Sequence, residues 1–158
     1  SKIKNMLTKE AQLHILALPS VFLWIGFVCA ISFMEAWLKF RAPGVTLPLG
    51  LGIGSLVFKA LNKAEWVFAI LMAVDLFLLH RGMGINLPRV LFLIALLILI
   101  IQTLWLLPAL DARIPLYQQG LEVPSSPLHF YYVGTEVVKV ICLFITGIHF
   151  LRSIRIIS

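Results

Sequence analysis

The stretch Thr135-Glu136-Val137-Val138-Lys139 sets a carboxylate and an ammonium three residues apart inside a long apolar run. On a helix that spacing is nearly one turn, so the two side chains share a side and can share a partner. A charge at the bilayer centre costs at least about 3 kcal/mol, so such groups turn inward and pair. Asp75 interrupts a second apolar run and Gln102 a third. With about 1.5 Å of rise per residue, Asp75 and Lys139 fall about 18 Å and about 17 Å from one membrane face, Glu136 about 12 Å and Gln102 about 9 Å. The depths pair Lys139 with Asp75, and Glu136 and Gln102 complete a polar cluster. Proton or ion transfer is the chemistry that such a cluster supports. A fixed polar contact between helices is the structural alternative.

Around this cluster, Thr135, Lys139, Cys142, Thr146 and His149 recur at spacings of four and three, which makes them one stripe facing the other helices. The first apolar run offers Cys29, Ser32 and Glu35 at similar spacing, although Glu35 with Lys39 is also an ordinary ion pair at a helix end. Ser32, Glu35 and Thr135 are therefore secondary candidates. At the opposite face His14, His80 and His149 fall at one level, and three imidazoles can ligate a metal or haem. No HExxH motif or Glu-x-x-His set accompanies them, and histidine at a headgroup interface needs no ligand. Glycines in GLGIGS follow no strand, so close packing, not phosphate binding, is their expected use.

The elements that must position these groups follow from composition. With 61% hydrophobic and 13% charged residues and a mean hydropathy of +1.01, the chain is an integral membrane protein. Its partner is the lipid bilayer. The net charge of +6 falls mostly at the ends of apolar runs, as anchors and orientation signals, so nucleic acid is not a partner. At about 20 residues per span, the length predicts an all-α, four-span bundle in one domain. Its helices run over about 11–39, 62–80, 87–108 and 127–152, the first a retained span and not a cleaved signal. Residues 43–61 are glycine-rich and too short to span, so they read as a re-entrant or interfacial segment. Asn62-Lys63-Ala64-Glu65 reads as a capping box, which gives Glu65 a structural task. Asn86 with Pro88, and Ser126 with Pro127, open the last two helices. Cys29 and Cys142 read as buried thiols. Trp24, Trp37, Trp66, Trp105, Tyr131 and Tyr132 read as interface belts and core.

Orientation rests on basic residues. Lys2, Lys4, Lys9, Arg81, Arg89, Arg152 and Arg155 give seven on one face, and Lys39, Arg41, Lys59, Lys63 and Arg113 give five on the other. The excess predicts both termini in the cytoplasm.

The order SFMEAWLKFRAPG, GSLVFKAL, LLPALDAR and YYVGTEVVKV resembles the four-span family around transmembrane protein 205. The likeness lies in Phe40, Arg41 and Pro43, in Phe58, in Leu106 or Leu107 with Pro108 and Arg113, and in Gly134. It implies a four-helix membrane fold. The family's last helix typically carries His-Gly followed by Ser and Asn. Val133, Glu136 and Lys139 depart from that pattern, so no functional residue carries over. Three function classes follow. The first is a proton- or ion-linked carrier or channel for a small solute. The second is an accessory or oligomer-forming subunit of a homo-oligomer or larger membrane complex, and the third a metal- or haem-binding enzyme. The sequence specifies no cofactor, and a non-enzymatic role fits it better than catalysis.

Overall fold

A computed structural model describes residues 14–157, with side chains through Ile154; all regular structure among them is helical. Helix α1 covers Ala17–Arg41. Helix α2 runs over 47–79, α3 over 87–111, the short α4 over Ile114–Gln118, and α5 over Leu128–Ile157. The expected start of the first helix at residue 11, and Lys2, Lys4 and Lys9, lie outside the described residues. Three stretches, Ala17–Arg41, Leu87–Gln118 and Leu128–Ile154, are long and apolar enough to cross a membrane. Helix α2 is not among them; it carries Lys59, Lys63, Glu65 and Asp75.

Each long helix buries one stripe at spacings of three and four, the period that keeps side chains on one face. In α1 the stripe is Ala17, Val21, Trp24 and Val28; in α2 it is Leu61, Glu65, Ala69, Met72 and Leu76. In α3 it is Phe92, Ala95, Leu99, Gln102 and Leu106, and in α5 Tyr132, Glu136, Lys139, Leu143, Thr146 and Phe150. Helix α1 packs on α2 and α5, and α5 packs along α3. The ring of His14, just before α1, lies 4.4 Å from that of Phe150 near the end of α5. The start of α1 and the end of α5 therefore share one end of the bundle. Large apolar side chains such as Phe22, Phe27, Ile70, Leu97, Leu104, Ile141 and Phe144 point outward. An apolar exterior around a core in which charged groups are buried among apolar ones is unlike a soluble bundle, and it suits lipid.

The segment over 43–61 corrects the sequence reading. It is neither re-entrant nor separate: Leu47–Ala73 is one continuous α-helix with Pro at its first turn, where a missing amide costs nothing. Gly50 and Gly54, one turn apart, face α1. A Cβ at Gly50 would run into the Phe40 ring, and one at Gly54 would stand 2.9 Å from Lys39 Nζ. This close contact of helices, as small-xxx-small pairs permit in membranes, stabilises helix where glycine alone would weaken it. The capping box at Asn62 is therefore absent. Asn62 Nδ2 donates instead to Thr103 Oγ1 at 2.9 Å, where Trp66 Nε1 also donates at 3.0 Å. Lower on the same face, Ser55 Oγ and Lys59 Nζ each reach Asp111 at 2.7 Å.

Three of the long helices widen into π-helical stretches: Cys29–Glu35, Val74–Leu79 and Gln102–Leu106. They hold the buried Ser32, Asp75 and Gln102 and the half-buried Glu35 and Thr103. Such stretches often mark functional positions. The third precedes Pro108, which has no amide to give residue 104. The end of α2 is closed by Arg89. Its buried guanidinium donates to the carbonyls of Leu76 and His80, orphan acceptors of the helix end, and to those of Met83 and Gly84 in the following loop. Of the two cysteines expected to be buried, Cys142 is, whereas Cys29 is exposed on the outer side of α1.

Candidate functional site

Lys139 sits about 17 Å into α5 and is fully buried. Its ammonium donates to both oxygens of Glu65, at 2.9 Å and 2.5 Å. It also reaches Gln102 Oε1 at 2.6 Å and Glu136 Oε1 at 3.1 Å. Gln102 turns its amide to the other side, giving Nε2 to Glu136 Oε1 at 3.0 Å and to Thr135 Oγ1 at 2.9 Å. Helices α2, α3 and α5 thus converge on one ammonium. Glu65, Gln102, Glu136 and Lys139 are each no more than 1% exposed.

The network is incomplete among the described residues. Glu136 Oε2, Ser32 Oγ and Trp24 Nε1 are buried without a hydrogen-bond partner. The Trp24 indole lies beside Glu65, and the Tyr132 phenol lies beside Glu136, Glu65 and Ser32. Trp24 thus borders Glu65, and Ser32 borders the Tyr132 phenol that lies against both carboxylates, on the side where α1 closes the bundle. An unpaired buried polar atom costs about 1–3 kcal/mol, so these three are the unsatisfied edge of the network. Tyr132 also lines a cavity of about 130 Å³ between the end of α1, the start of α2 and the end of α3, with Lys39, Ser55, Asp111 and His129 among its walls. The Tyr132 phenol thus touches both the cavity and the carboxylates.

Asp75 is elsewhere, which corrects its expected pairing with Lys139. Ten residues beyond Glu65 on α2, it lies about 15 Å further along the axis. One oxygen accepts the backbone amides of Leu16 and Ala17 at 2.8 Å and 2.9 Å. The other stands 2.6 Å from His14 Nδ1 and 3.1 Å from His80 Nδ1. Asp75 caps α1 from outside, satisfying donors that a helix start leaves open. The expected trio of histidines is corrected with it. His14 and His80 meet, ring centroids 4.2 Å apart, but His149 is exposed on α5. Of the secondary candidates, Glu35 pairs with Lys39 at 3.2 Å, Thr135 joins the Gln102 network, and Ser32 is buried beside Tyr132.

The sequence reading missed Glu65. A signal was present: Glu65 falls in the stripe Leu61, Glu65, Ala69, Met72 and Leu76, at core spacing throughout. Comparisons with family models, curated proteins and solved structures found no match for this chain.

Proposed function

We propose that the chain crosses the membrane four times, α2 included, and that Glu65, Gln102, Glu136 and Lys139 form the coupling element of a proton- or ion-linked carrier or channel for a small solute. The observation that carries this reading is a charge imbalance among fully buried side chains. Two carboxyl groups share one ammonium, so a neutral network holds one exchangeable proton, and buried charge is tolerated only when balanced. Glu136 Oε2 is the free corner where that proton arrives or leaves. The cavity lined by Tyr132 is the approach from one face in this proposal, and the unpartnered Ser32 and Trp24 extend the polar lining toward α1. Intramembrane ionisable residues of this kind mark ion and proton pathways.

The four-span reading agrees with the resemblance to the family around transmembrane protein 205. Both termini stand on the cytoplasmic side in this proposal. Burial of Arg89 leaves six basic residues against five, and cysteine labelling from each side of sealed vesicles tests the assignment.

Flux in proteoliposomes tests the function. Vesicles carrying the protein are expected to dissipate an imposed proton gradient faster than protein-free vesicles. Glu65→Gln with Lys139→Met should fold yet abolish that flux, and Glu136→Gln should move its pH dependence. Flux equal to that of empty vesicles under every imposed proton or cation gradient would overturn the carrier reading in favour of an assembly subunit.

A further inference from the structure

The second buried site carries an inference that is independent of the first. We propose that His14 and His80 bind one borderline transition-metal ion, Zn²⁺ in the first instance, through their Nε2 atoms, with Asp75 as the residue that orients both rings.

The hydrogen bonds fix the chemistry. His80 Nδ1 lies 2.8 Å from the main-chain oxygen of Asp75, and a carbonyl oxygen only accepts, so Nδ1 carries the proton. The neutral ring then holds its lone pair on Nε2. That atom is buried and has no partner among the described residues. His14 Nδ1 stands 2.6 Å from a carboxylate oxygen of the same Asp75, which selects the same tautomer. Imidazoles that ligate metals show this pattern: the distal N–H goes to a carboxylate or backbone carbonyl, which sets the tautomer and raises the basicity of the ligating nitrogen. Each ring is tied to Asp75 by its Nδ1 edge, and the two rings are tilted by 37° with their centroids 4.2 Å apart. One ring nitrogen of His14, one of His80 and a carboxylate oxygen of Asp75 lie within 4.8 Å of one another.

Imidazole nitrogen suits zinc, copper and nickel more than calcium or magnesium. With two protein ligands and a His14 side chain 10% exposed, the remaining positions are open to water or an outside ligand, unlike a closed structural zinc site. The Asp75 carboxylate supplies negative charge beside the cation. Its backbone contacts with Leu16 and Ala17 tie the site to the start of α1, so occupancy is expected to hold α1 against α2.

Tag-free full-length protein in nanodiscs, stripped with chelator and then equilibrated with Zn²⁺, is expected to retain one ion per chain and to unfold at higher temperature. His14→Gln and His80→Gln should each weaken binding at least tenfold, and Asp75→Asn by about 10–100-fold. His149→Gln should leave it unchanged. Cobalt substitution of the unmutated protein gives a readout that no variant's folding can confuse: X-ray absorption should show two imidazole nitrogens. Uptake no greater than that of the His14→Gln, His80→Gln double variant would overturn the site. So would binding that survives loss of either histidine, or a cobalt spectrum without imidazole.

Discussion

Glu65 and Asp75 lie ten residues apart on one helix, and both are buried carboxylates, yet they are stabilised by different means. Glu65 meets a full counter-charge, the Lys139 ammonium, at hydrogen-bond distance from both of its oxygens. Asp75 meets no lysine or arginine among the described residues. Its oxygens are occupied by two backbone amides and two imidazoles. The difference follows from position. Near the middle of the bundle every backbone amide is used within its own helix, so only another side chain can answer a carboxylate. At the start of α1 the first amides are free, and their dipole favours an anion. A carboxylate deep in a helical membrane protein needs a cation, and one level with a helix start can be held by main chain.

The largest effect that this contrast predicts is at Lys139. Lys139→Met leaves Glu65 and Glu136 facing each other without a cation, and breaking a buried pair costs about 3–5 kcal/mol. Thermal unfolding in detergent should show that loss, and adding Glu65→Gln should recover most of it. Equal stability of the single and double variants would mean that the ion pair does not set the energetics of the interior. A smaller loss is expected at Asp75. Asp75→Ala strips the side-chain acceptor from Leu16, Ala17 and the His14 Nδ1–H, while His80 keeps the main-chain oxygen of residue 75; the loss is about 1–3 kcal/mol by the cost of an orphaned donor. Asp75→Asn keeps one carbonyl oxygen for the amides and should cost less. A cationic residue at His14 could not rescue Asp75→Ala, since the main-chain donors would remain unpaired.

The same contrast explains what could be read from the sequence. Starts of α3 and α5 are legible because their signals are local: Asn86 Oδ1 accepts from the amide of Arg89 at 3.2 Å, and Ser126 Oγ accepts from that of Leu128 at 3.3 Å. The start of α2 is not. Asn62 to Glu65 satisfies the local pattern of a cap, and only contact of Gly50 and Gly54 with α1 shows that helix already runs there. That error propagates. Counting depth from Asn62 sets Asp75 level with Lys139, whereas the residue level with Lys139 is Glu65. Gln102, Glu136 and Thr135 fall where the spacing puts them, since their own helices are read correctly. His14 and His80 share a level as expected. His149 fails by one residue: a helix turns about 100° per residue, so Phe150 faces His14 and His149 points out.

The smallest expected effect is an absence of coupling, and it decides whether the two regions are separate. Sites more than about 10 Å apart with no shared partner usually combine within about 0.5 kcal/mol. Here Glu65 and Asp75 share a helix and differ by about 15 Å along its axis. Two unit charges at that distance still interact by about 1 kcal/mol at an effective dielectric of 20. Removing a single charge at each site would therefore mix a field effect with any mechanical link. Glu65→Gln together with Lys139→Met, treated as one change, leaves the net charge of the network as it was and isolates the mechanical part. Its stability cost should add to that of Asp75→Asn within about 0.5 kcal/mol. A coupling of 1 kcal/mol or more in this charge-balanced cycle would mean that the π-helical turn at Val74–Leu79 transmits strain between the sites. The histidine site and the lysine network would then be one device, with the position of α1 reporting the state of both.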